Sequence, residues 1–136
     1  MPSQHIRKAS ILWLVAACSS EVDAPPQIDL SNACPISIEI TVVNPRLGTV
    51  GWTPSCGAAG LHVQRQRDPF LWDSVWFLQP DSKLIFPSVT YGIVPDGAIA
   101  TLNPSPPTLE PGQVYRAFVI VPHNVSPMPS ITWTVP

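Results

Sequence analysis

The chain has 136 residues, 45% of them hydrophobic and only 12% charged, with 18 prolines and a formal net charge of −2. That length suits one domain with one core. Seven bases against nine acids leave no basic surface to gather phosphates, which argues against a nucleic-acid partner. Proline at this density breaks helices and favours short strands joined by turns.

Residues 1–10 carry Arg7 and Lys8 and no acid, and Ile11 to Ala17 is an unbroken apolar run. A basic start, a short apolar stretch and small residues at its end are the parts of a secretory signal peptide. The run is far shorter than the roughly 20 residues that cross a bilayer as a helix, and no later stretch is long enough either. Leu14-Val15-Ala16-Ala17-Cys18 resembles the lipobox of bacterial lipoproteins: an aliphatic residue, two small residues and the cysteine that becomes the lipidated N-terminus. The resemblance implies a lipoprotein signal peptide over 1–17, a membrane partner through lipid on Cys18, and residence in the bacterial cell envelope. One acyl chain holds a protein only marginally, and the lipoprotein family meets this with several chains on one cysteine. Ser19 and Ser20 follow Cys18 with no Asp at the next position, which resembles lipoproteins sorted to the outer membrane. Cleavage after Ala17 by a general signal peptidase and a buried N-terminal helix in a cytosolic protein are the competing readings.

Beyond residue 17 five bases face nine acids, a net charge of −4. If Cys18 is lipidated, Cys34 and Cys56 remain as one pair, which in an oxidising compartment reads as a disulfide. It would close a loop of about 20 residues and contribute on the order of 3 kcal/mol. Two free buried thiols are the alternative. Without a histidine cluster the two cysteines make no zinc motif.

Residues 18–33 are small, acidic and proline-containing and read as a lipidated terminus and linker, with a short edge strand conceivable over Gln27 to Leu30. Pro35 to Val43 alternates, with Ile36, Ile38, Ile40 and Val42 on one face, and predicts a half-buried strand. Gly48 to Trp52 and Leu61 to Gln66 are the next strands, the latter with Leu61 and Val63 inward; Arg67-Asp68-Pro69 is a turn. Asp73 to Gln79 is apolar on both faces and suits a central strand. Lys83 to Val94 reads as one or two strands broken at Pro87. Pro95-Asp96-Gly97 is a turn in which Pro presets φ and Gly accepts a positive one. Ala98 to Leu102, Val114 to Val121 and Ser130 to Val135 complete the strands, and Asn103 to Thr108 is irregular.

About seven short strands predict an all-β sandwich domain over 34–136. Leu109-Glu110-Pro111-Gly112-Gln113-Val114-Tyr115 resembles the tyrosine corner of fibronectin type III domains, and Gly48 to Pro54 is similar to that family's second strand. The resemblance implies an Ig-like, fibronectin III-like sandwich. In it Leu109, Gly112 and Tyr115 form a structural corner, and Ala117, Val119 and Val121 face the core. The Cys34/Cys56 pair and the proline-broken 83–108 region depart from the family. The order Cys34, Trp52-Thr53-Pro54, Cys56, Trp76 and Tyr91-Gly92 is also similar to small bacterial lipoproteins, a likeness that implies no activity.

No catalytic constellation emerges. His62 reads as outward-facing beside Gln64 and Gln66, and His123 as a strand-end residue; neither has an orienting partner in the sequence. No nucleophile elbow, zinc-protease motif or phosphate loop is present. The expectation is therefore no enzyme, no cofactor and no metal. Phe70, Trp72 and Trp76 share strand parity if 70–78 is continuous, which makes Trp72 and Trp76 candidate ligand aromatics, with core packing as the alternative. Two functions follow as expectations: a membrane-anchored, non-catalytic interaction or structural module with an unknown protein or glycan partner, or a carbohydrate-binding module. Loops 53–60 and 122–129 are candidate recognition segments.

Overall fold

Eight strands form in a computed structural model that describes residues 27–123 and 127–136. The signal-peptide segment and Cys18 lie outside the described residues. The strands are β1 (Glu39–Asn44), β2 (Thr49–Thr53), β3 (Gly60–Asp68), β4 (Leu71–Pro80), β5 (Val89–Thr90), β6 (Ala98–Leu102), β7 (Val114–Ile120) and β8 (Ser130–Thr134). They make two antiparallel sheets, β1-β2-β5 and β6-β4-β3-β7-β8. One core lies between them: Ile40, Val50, Trp52 and Val89 from the smaller sheet meet Leu61, Val63, Trp76, Leu78, Ala117, Val119 and Trp133 from the larger. The described residues form an all-β sandwich. The β1-β2-β5 sheet and the β3-β7-β8 run match the A-B-E and C-F-G partition of immunoglobulin-like domains, with β4 and β6 added beyond β3.

The expected strand over Pro35 to Val43 begins late, at Glu39, and Ile36 is 61% exposed rather than inward. The cause is a non-local clamp. Cys34 and Cys56 form the expected disulfide, with Cα atoms 4.8 Å apart. Around it the Cys34 N–H donates to the Gly57 carbonyl at 2.8 Å and the Gly57 N–H to the Asn32 carbonyl at 2.7 Å. Residues 35–38 only carry the chain from that clamp to β1. The clamp also pairs Ala33 with Gly57, so the end of the expected linker belongs to the folded domain. Gln27 to Leu30 adds no strand.

Lys83 to Val94 yields just the two-residue β5 and one isolated bridge, Ile85 to Ala58. Leu84 and Ile85 are buried nonetheless, Ile85 within the core cluster, although neither belongs to a named strand. In the following turn the Gly97 carbonyl accepts the N–H groups of Asp81, Ser82 and Lys83.

At the entrance to β7, Pro111 and Gly112 occupy the centre of a turn closed by Gln113 N–H donating to the Glu110 carbonyl at 3.1 Å. Gly112 has φ +81°, the left-handed value that the third residue of a type II turn requires. Tyr115 is 2% exposed, and its hydroxyl oxygen accepts the Glu110 N–H at 3.1 Å. Leu109 packs against the core beside it. Tyr115→Phe removes that acceptor and leaves the amide unpaired, so it is expected to destabilise the domain by about 1–3 kcal/mol in urea unfolding. Wild-type stability in this variant would show that the hydroxyl does not hold the corner.

Candidate functional site

Register decides which side chains of the larger sheet face solvent. Leu61 pairs with Val119 and Leu78, and Val63 with Ala117 and Trp76; all six are buried. The residues between them point the other way. His62 lies between Phe77 and Phe118, and Gln64 between Ser74 and Arg116. These outward positions, with Trp72 one step further along β4, place three aromatic rings and a guanidinium on one open sheet face.

The expected parity of Trp72 with Trp76 fails. Between Val63↔Trp76 and Gln64↔Ser74 the register shifts by one residue, so Val75 is an insertion in β4. A single extra residue turns the rest of the strand over. Trp76 is therefore 0% exposed in the core, unavailable to a ligand, whereas Trp72 is half-buried on the outer face. Phe70 belongs to neither face: it sits in the β3–β4 turn, 91% exposed, where Asp68 Oδ1 accepts the Phe70 and Leu71 amides.

Arg116 organises the outer face. Its guanidinium carbon lies 4.1 Å from the Trp72 ring centroid and 4.9 Å from that of Phe118. Its Nε donates to Gln64 Oε1 at 2.6 Å. Cation–π contacts of this kind fix an otherwise mobile side chain. His62 packs edge-on to Phe77, with centroids 5.2 Å apart, and its Nε2 is 2.7 Å from Ser74 Oγ. Burial, and secondarily the charge of Arg116, push its pKa below the ordinary 6.5, so the ring is neutral at pH 7. His62, Gln64, Phe118, Ile120 and Met128 line a shallow depression of about 260 Å³ on this face. His123, the other expected surface histidine, is exposed and takes no part.

The loop at 53–60, expected to be free for recognition, is structural. Cys56, Gly57 and Ala58 are buried, and Trp52 Nε1 donates to the Cys56 carbonyl at 2.9 Å. A second depression, of about 410 Å³, lies between Arg46, Tyr91, Pro104, Pro106 and Leu109. Burial, reinforced by Tyr115, pushes the Tyr91 phenol up to about 12, and its hydroxyl donates to the Pro107 carbonyl at 2.7 Å. Tyr91 thus braces the irregular 103–108 segment as a neutral donor. Among the described residues no three of His, Cys, Asp and Glu are close enough to hold a metal ion.

Of the sequence-derived aromatics, Trp72 alone belongs to the open face; Arg116, Phe118, Phe77 and His62 join it. Part of this set has a sequence signal. Once Ala117, Val119 and Val121 face inward, Arg116, Phe118 and Ile120 must face outward, and a large aromatic there is not needed by the core. No family model, curated protein or solved structure matches this chain.

Proposed function

We propose that this chain is a non-catalytic binding module of the bacterial cell envelope, anchored by lipid on Cys18, that recognises a partner protein through the outer face of its five-stranded sheet. One observation carries the reading: Trp72, Phe77, Phe118 and Arg116 gather on the solvent side of the sheet, where the core has no use for them. Tryptophan, phenylalanine, methionine and arginine are the side chains enriched at protein interfaces, and Trp and Arg dominate binding hot spots. The geometry favours protein over glycan recognition. A pyranose stacks on an open ring face, and the Arg116 guanidinium already lies over Trp72. No chemistry is assigned, because His62 faces a serine hydroxyl and aromatic edges, with no carboxylate among the described residues to orient it.

The test is crosslinking in a bacterial host. A photoreactive phenylalanine analogue is placed at Phe118, or at the exposed Thr41 of the opposite sheet, and membranes are fractionated before illumination. The protein should sediment with membranes, a Cys18→Ala variant should not, and discrete adducts should form from position 118 and not from 41. Adducts from 41 alone would move the interface elsewhere, and a membrane-free wild-type protein would remove the anchor.

A further inference from the structure

We infer that Arg116 receives a carboxylate from the partner: an Asp or Glu in an extended segment whose apolar residue two positions away settles beside Phe118. This rests on the reading of the outer face as the binding surface. A guanidinium has five N–H donors. In Arg116 the Nε–H is engaged by Gln64, and the cation lies against Trp72 and Phe118. The terminal Nη groups have no acceptor among the described residues.

Three of the five bases in the described residues are ion-paired; Arg46 and Arg116 are not, and of these two only Arg116 is held against aromatic rings. Arg65 pairs with Glu110 at 2.9 Å, Lys83 with Asp96 at 2.9 Å, and Arg67 with Asp73. Arg116 is in no ion pair among the described residues, although acids outnumber bases in the chain. The row of side chains across the sheet at its level is Ser74, Gln64 and Thr132, none of them acidic. The neutral His62 adds no second charge. A guanidinium fixed between rings, with its fork free, matches the planar two-oxygen geometry of a carboxylate. Its rotamer freedom is already restricted before binding, which lowers the entropy lost on association.

The neighbouring depression supplies the second contact. Phe118 follows Arg116 by two residues on β7, roughly 7 Å along the strand. An extended partner segment repeats its side chains at the same spacing, so an acidic residue over Arg116 puts an apolar one over Phe118, Ile120 and Met128.

The test titrates the isotope-labelled full chain with two peptides, acetyl-Ser-Glu-Thr-Leu-Ser-amide and its Glu-to-Gln counterpart, and with trigalacturonate. Signals of Arg116 Nε–H and of the Phe118 and Ile120 amides report the face. The Glu peptide should shift them saturably. The Gln peptide, or Arg116→Gln, should weaken binding about tenfold, the loss of one charge-assisted contact. Arg116→Lys, which keeps the charge without the fork, should fall between. Unchanged Tyr115 and Trp133 signals confirm that the variants remain folded. Equal binding of both peptides at this face overturns the carboxylate contact and leaves the face as an interface. Binding of trigalacturonate without the Glu peptide overturns it in favour of an acidic glycan. No binding by any probe overturns it as well, and the crosslinks from Phe118 then decide the face independently.

Discussion

Replacing Trp76 with alanine is expected to destabilise the domain by about 3–5 kcal/mol, the range for emptying a large buried aromatic site. Trp76 is fully buried in β4, opposite Val63, with its ring edge-on to Tyr91 at a centroid distance of 5.5 Å. Small domains have about 5–15 kcal/mol in total, so the variant will stand near its unfolding midpoint under mild denaturant. A finer comparison separates shape from polarity. Trp76 Nε1 has no hydrogen-bond partner among the described residues, so Trp76→Phe removes volume but breaks no bond there. It should cost clearly less than the alanine variant. Trp72→Ala provides the contrast: half-buried on the outer face, it should change stability by about 1 kcal/mol or less while impairing partner binding. Urea unfolding of the three variants is the measurement. A Trp76→Ala protein within about 1 kcal/mol of wild type would mean that this ring does not fill the core.

The two tryptophans also mark where sequence reading succeeds and where it stops. Strands β6 and β7 are legible because their alternation is local: Tyr115, Ala117 and Val119 can share a face only if the chain is extended. The corner at Leu109, Gly112 and Tyr115 is legible because turn chemistry acts within a few residues. The extra residue at Val75 is not. It exists because β3 and β4 slip by one position where they pair, and nothing in Asp73 to Gln79 announces that slip. The same local logic puts Ile36 on a buried face, and the distant contact of Cys34 with Gly57 moves it out. The candidate site is harder still. It is assembled from β3, β4 and β7, from positions 62 to 118, and only the strand order makes Trp72, Gln64 and Arg116 neighbours. Its outward half on β7 can be read once the inward half is known.

The second large effect lies at the clamp. A Cys34→Ala, Cys56→Ala double variant is expected to lose about 3 kcal/mol, the entropy released to the unfolded chain when a loop of this size is no longer closed. The two cysteines are 22 positions apart, and both are buried. The loss has a location as well as a size. The disulfide joins the segment before β1 to the segment before β3, and the hydrogen bonds of Asn32 and Cys34 with Gly57 depend on that proximity. Without the crosslink those bonds join two irregular segments, one ahead of β1 and one ahead of β3, outside the strand ladders, the kind of place that opens first. Amide exchange should therefore accelerate most at Cys34 and Gly57 in the native state. The ladder between β3 and β7 should retain its protection until global unfolding, because its pairs run from Gly60↔Ile120 to Arg65↔Tyr115 without touching the clamp. The outer face, built on that ladder, should bind the Glu peptide unchanged in the double variant under folding conditions. If exchange instead rises equally across β3 and β7, the clamp is not a separable edge but part of the cooperative core, and removing it would loosen Arg116 along with everything else.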